Sequence, residues 1–152
     1  MKRGRQTTVM ALLVVGVIVL GGCGGSSGGK RLTKAEFKAR VNALCEDHDK
    51  NKSHDSPQSE KELLAVIVRD REAYARFFAG LKKLRPPLTA QPTVDRIARL
   101  SKVVLKYHDD GRKALETHKG DPFENAARYD TTISEIVRLL YSKLGATSCN
   151  GI

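Results

Sequence analysis

The sequence predicts an all-α domain, an up-down antiparallel four-helix bundle, on three observations. Apolar residues recur at helical spacing in four stretches, caps or prolines punctuate those stretches, and no stretch alternates with period two for long enough to argue a sheet. The connections are short, which sets consecutive helices side by side. A three-helix core with a loosely packed first helix is the alternative that the same pattern allows.

The first helix opens at Thr33-Lys34-Ala35-Glu36, a capping box in which hydroxyl and carboxylate each satisfy a backbone N–H of the other residue. Leu32 before the cap and Phe37 in the first turn supply the matching hydrophobic staple. Phe37, Val41, Leu44, Cys45 and His48 make the inward stripe, and the helix should fray near Lys52, before a polar loop over 53–57. A second capping box, Ser59 to Glu62, opens a long helix that runs to about Leu84 and stops before Pro86 and Pro87. Its stripe is Leu63, Ile67, Tyr74, Phe77, Phe78, Leu81 and Leu84, widened at the start by Leu64, Val66 and Val68.

A third helix should begin near Pro92 or Thr93 and end near Thr117, with Gly120 following. It carries Val94, Ile97, Ala98, Ser101, Val104, Leu105, His108 and Leu115 at inward positions. Asp121-Pro122-Phe123-Glu124 reads as the start of the fourth: a capping side chain, proline at the first helical position, glutamate at the third. Phe123, Ala126, Ala127, Ile133, Val137, Leu140 and Leu144 are its expected inner stripe, and Gly145 is its stop.

Ahead of this helical domain, 32–152, stand two segments of a different kind. Residues 1–22 have the parts of a secretory signal: basic Lys2, Arg3 and Arg5, an apolar run from Val9 to Leu20, and small residues before a cysteine. The apolar run makes a helix of about 18 Å against roughly 30 Å of hydrocarbon, so a retained transmembrane helix is the weaker reading. Leu20-Gly21-Gly22-Cys23 reads as a lipobox, which makes Cys23 the acylation site of an exported bacterial lipoprotein. Two or more acyl chains would hold the protein at the membrane surface. Residues 23–31 are then the lipidated cysteine and a Gly/Ser tether, with a mean reach on the order of 15 to 20 Å.

Export bounds the rest. The whole chain carries 27 Lys and Arg against 17 Asp and Glu; without the three basic residues of the signal the balance is +7. In the cytosol such a charge would raise nucleic acid as a partner, but export and the lack of a nucleic-acid motif argue against it. Anionic lipid or anionic wall polymer is what a basic exported surface meets, although basic charge also serves plain solubility. With Cys23 assigned to lipid, Cys45 and Cys149 are left as a pair in an oxidising compartment, so they are expected to form a disulfide. The residues from Leu144 to Cys149 can extend about 17 Å, enough to run back along the first helix and nearly reach Cys45 once side chains are added.

The mature chain resembles a group of small actinobacterial lipoproteins. The resemblance rests on Thr33, Lys34, Glu36 and Phe37, on Cys45 eight residues after the phenylalanine, and on Leu144, Gly145 and Cys149 at the end. It implies a helical exported domain with a disulfide, and it carries over no catalytic residue.

Two clusters raise the question of chemistry. Glu46, Asp47, His48 and Asp49, with His54 and Asp55, have metal-ligating types, yet their spacing matches none of the usual zinc patterns, and a solvated helix end is the reading preferred. Tyr107-His108-Asp109-Asp110 could place a histidine base beside Asp130 of the fourth helix. No nucleophile or oxyanion device accompanies that pair, so a hydrogen-bonded core histidine is preferred there too. A third feature is the stripe Arg96, Arg99, Lys102, Lys106 and Lys113 on the third helix, which with Lys82, Lys83 and Arg85 could face phosphates, or form the ordinary polar side of an amphipathic helix. The expectation is an anchored extracytoplasmic, non-catalytic domain that binds an envelope protein or an anionic lipid or wall polymer, without cofactor or metal. A carrier or sensor of a small apolar ligand held between the helices is the second expectation.

Overall fold

The computed structural model describes residues 30–149 and 152. The signal at 1–22, the lipobox cysteine Cys23 and the tether up to Gly29 lie outside the described residues. Four helices make the domain: α1 (Lys34–Asn51), α2 (Glu60–Lys83), α3 (Gln91–Thr117) and α4 (Ala126–Leu144). Close packing runs α1 to α2, α2 to α3 and α3 to α4. The first helix is part of the core and not a loose addition, with Phe37, Val41, Cys45 and His48 all buried.

The ends of α1 and α2 follow from their caps. Thr33 accepts the Glu36 N–H while the Glu36 carboxylate accepts the Thr33 N–H at 2.8 Å, the full reciprocal box. At α2, Ser59 caps the Glu62 N–H, but the Glu62 carboxylate reaches one residue further, to the Gln58 N–H at 2.7 Å, so this box is half formed. Leu84, extended ahead of Pro86, ends α2.

The start of α4 departs from expectation. Asp121 Oδ1 accepts the Phe123 N–H at 2.7 Å, and the Glu124 and Ala126 amides close further turns on the carbonyls of Asp121 and Phe123. The aspartate therefore makes a local turn instead of a helix cap, a competition that short polar side chains often win. Helix begins only at Ala126, and Phe123 is left outside the core, 48% exposed. Gly111 of α3 helps to place this turn, since a Cβ there would stand 3.2 Å from the Pro122 carbonyl oxygen.

The inner face of α4 is also rotated from the expected one. Thr132, Ile136, Leu139, Leu140 and Leu144 are buried, Ala126, Ile133 and Val137 are half-buried, and Ala127 is exposed. Thr132 can be buried because its hydroxyl donates to the Arg128 carbonyl at 2.7 Å.

The core gathers Phe37 and Val41 of α1, Tyr74, Phe77 and Leu81 of α2, Ile97 and Val104 of α3, and Ile136 and Leu140 of α4. Gly80 lets α1 come close to α2: the Leu44 side chain occupies the place of the missing Cβ. Gly145, at φ +66°, turns the chain out of α4, with its N–H on the Tyr141 carbonyl and that of Ala146 on Leu140. The tail then lies along α1. Thr147 and Ser148 donate their amides to Asn42 Oδ1 at 2.9 and 3.3 Å, and the Sγ atoms of Cys45 and Cys149 stand at bonding distance, 2.00 Å.

Candidate functional site

The basic stripe of α3 divides once its neighbours are in place. Arg96 is taken up by Glu135 of α4, Nε to Oε1 2.7 Å, a tie between helices. Lys106 is paired with Asp110 one turn on, at 2.7 Å. Arg99, Lys102 and Lys113 are exposed and meet no carboxylate among the described residues. Arg85 and Lys82 with Lys83 lie at the α2 end, by the turn that leads into α3.

Between α3 and α4 lies a cleft of about 240 Å³ whose walls include Lys102, Lys106, Arg128, Asn125 and the rings of Tyr107 and Tyr129. The two rings are stacked, centroids 4.3 Å apart and planes 21° from parallel. Asp110 is the carboxylate of this cleft, against three cationic side chains. A second opening, between α2 and α3, is more apolar: Phe78, Ala79, Ala98 and Leu105 line it, and Lys82, Arg99 and Lys102 stand on its rim.

The tyrosine stack is the outer end of a row of rings that crosses the bundle. The Tyr129 hydroxyl donates to that of Tyr74 at 3.2 Å, and Tyr74 in turn stands 4.5 Å from His48 and 5.3 Å from His108 between centroids. Burial pushes both Tyr74 and Tyr129 upward from the ordinary phenol value, so both are neutral hydroxyls at physiological pH. Tyr107 is raised as well, by burial and then by the charges of Asp130 and Asp121.

His108 is buried with its Nδ1–H donating to the Val104 carbonyl at 2.9 Å, which leaves Nε2 as the unprotonated nitrogen of the neutral ring. Burial lowers its proton affinity despite that bond. The pairing with Asp130 that the sequence suggested does not form, because Asp130 is on the exposed side of α4. A histidine bonded back to its own helix is a core residue, and the structure gives it no carboxylate orienter.

His48 is the more unusual residue. It is 1% exposed, and neither ring nitrogen has a hydrogen-bond partner. Burial, reinforced by the Lys52 charge, lowers its pKa from 6.5 to about 4. The polar neighbours named with it in the sequence are elsewhere engaged: Asp49 pairs with Lys52, His54 donates to the Asp49 carbonyl, and Asp55 pairs with Arg69. Among the described residues no three His, Cys, Asp or Glu side chains converge as metal ligands.

Compared with protein-family models, curated proteins and solved structures, the chain matches none. The site must therefore be read from its own residues. Sequence periodicity passed over Tyr129 because the expected stripe began at Phe123. The spacing Tyr129, Ile133, Ile136, Leu140 is itself a helical stripe, and it carries the signal that would have found the stacked pair.

Proposed function

We propose that this is a lipoprotein of the cell envelope, held at the extracytoplasmic face of the membrane through Cys23, whose helical domain binds and does not catalyse. The resemblance to small actinobacterial lipoproteins and the lipobox support the anchoring. Among the described residues no helix is long and apolar enough to cross a membrane. The observation that carries the binding reading is the row Arg99, Lys102 and Lys113, exposed and without counter-ions among the described residues, beside a cleft walled by Lys102, Arg128 and two stacked tyrosines. Such a face suits an anionic envelope partner: cations supply attraction and aromatic rings supply contact area at low entropic cost.

Two measurements test this. Cys23→Ala should leave an unprocessed precursor, and normal processing and membrane retention of that variant would refute the anchor. Binding of the unlipidated domain to an anionic wall polymer should weaken steeply with salt, since screening shortens the interaction to about 8 Å at physiological strength. Lys102→Glu with Arg128→Glu should abolish it, and salt-independent binding would refute the anionic partner. The opening between α2 and α3, about 650 Å³ and apolar in its lining, favours the second reading, a carrier of a small apolar ligand. Uptake of a hydrophobic dye that Ala98→Phe blocks is what that reading expects.

A further inference from the structure

The surface charge is sorted along the bundle. Cut each helix at mid-length, and one half of the domain comprises residues 30–42, 72–104 and 135–149 with 152; the other comprises 43–71 and 105–134. The first half holds 14 Lys and Arg against 4 Asp and Glu, a balance of +10, while the second holds 10 against 13, a balance of −3. The domain is therefore a charge dipole. Its basic end is the one at which the described chain begins: the Leu32 N–H donates to the Arg85 carbonyl at 2.9 Å and Arg31 Nη1 to that of Pro86 at 2.8 Å. These bonds pin the chain entry against the turn between α2 and α3. At the tip of that turn stands Leu88, 71% exposed, the most exposed large apolar side chain of the domain.

We propose that the domain docks on the anionic lipid bilayer by this basic end, with Leu88 entering the headgroup layer and Lys30, Arg31, Lys82 and Lys83 facing lipid phosphates. The inference rests on the anchoring of Cys23 proposed above. Six residues separate Cys23 from Lys30, so the anchored cysteine and the pinned chain entry lie within about 25 Å of each other even at full extension. The other end of the 27-residue α3 is about 40 Å away along the helix. Screening confines the membrane's pull to about 8 Å at physiological salt, so it acts on the near cations and hardly on Lys113, about 33 Å beyond Gln91. An apolar tip at a basic end is the combination that anionic interfaces retain. The acidic end points away and is repelled by the same surface.

The chain has no tryptophan, so a single indole can report on either end. The processed, acylated protein is placed in vesicles of phosphatidylglycerol and phosphatidylcholine with brominated acyl chains, as Leu88→Trp or as Phe123→Trp at the other end. Both positions are exposed, so neither change disturbs the core. The Leu88→Trp emission should shift to the blue and lose most of its intensity to bromine, and that of Phe123→Trp should do neither. Lys82→Glu with Lys83→Glu should restore the Leu88→Trp emission while the protein still sediments with the vesicles. Unquenched Leu88→Trp on sedimenting vesicles overturns the docking and leaves the anchor standing. Quenching at Phe123→Trp overturns it in favour of the other end. Protein that does not sediment with the vesicles refutes the anchor, and the docking with it.

Discussion

Replacing His48 by phenylalanine should stabilise the domain and reduce its sensitivity to mild acid. The imidazole is buried against Tyr74 and Phe77 with both nitrogens unpartnered. An unsatisfied buried polar group costs about 1 to 3 kcal/mol, and a larger ring in the same place returns part of that as crowding, so a gain of about 1 kcal/mol at pH 7.5 is expected. The acid effect is larger. In the fold the ring takes a proton only near pH 4, whereas in the unfolded chain it does so near 6.5. Between these values the unfolded state binds more protons, so stability is full above 6.5 and is lost as pH falls toward 4. By pH 4.5 the loss through this group is about 2.5 kcal/mol, an upper figure because the site can relax or admit water. His108, also depressed by burial, acts in the same sense but is common to both proteins. Urea titrations at pH 7.5 and 4.5 read the difference: the native protein should lose about 2 kcal/mol more than His48→Phe over that interval. Equal losses would refute the reasoning, and an imidazole titrating near 6.5 in the folded protein would show why.

Two further outcomes concern the tail. Joining Cys45 to Cys149 closes a loop with a sequence separation of 104, for which the chain-entropy relation gives at most about 4.7 kcal/mol. Reduction, or Cys149→Ser, should lower the melting temperature by about 10 °C or more, and an unchanged melt would mean that the clasp adds nothing. Gly145→Ala forces a side chain into the left-handed region at φ +66° and should cost about 1 kcal/mol, measured by denaturant midpoint; Gly145→Asn should cost less, and no difference between Ala and Gly would refute the strain.

What the sequence made legible was whatever local chemistry decides alone. Thr33 and Glu36 lie three residues apart, and their reciprocal bonds need no tertiary neighbour, so the start of α1 could be placed to the residue. The stripes of α1, α2 and α3 were open to reading in the main, since each helix packs against the core on one side, but Val68 of α2 and Ala98 of α3, expected inward, are exposed. Asp121 shows where that ends. The same side chain can cap a helix or close a turn, and the turn needs the room that Gly111 of α3 leaves beside the Pro122 carbonyl, which no window of sequence contains. The rotation of α4 has a similar cause: apolar residues at 133, 136–137 and 139–140 offer two overlapping stripes, and only packing against α3 selects one. For the candidate site, the cations were visible as a periodic row, but which of them Glu135 and Asp110 neutralise was not. The sorting of charge along the bundle was invisible for a plainer reason. It requires folding the chain back three times before the basic residues of α1's start, α2's end and α3's start come together.

The way the chain enters the bundle gives that sorting its mechanical meaning. A tether joined directly to the first turn of a helix would pull on its least protected hydrogen bonds, because the first amides of a helix have no partners within it. Here such a load would be passed elsewhere before it reached α1. Leu32 and Arg31 bond to carbonyls of the α2–α3 turn, Leu32 packs on the core, and the capping box behind them closes the free amides of Thr33 and Glu36. Near the middle of α1, Asn42 and Cys45 hold the tail of α4, which stands in for the close helix packing that α1 has with α2. The first helix is thus fastened at its start to the second and third helices and at its middle to the fourth. With the chain anchored through Cys23 as proposed, a pull on its entry would turn the domain about its basic end instead of fraying α1. Each device has a local origin in the sequence, but only together would they let the proposed anchor at Cys23 orient the domain.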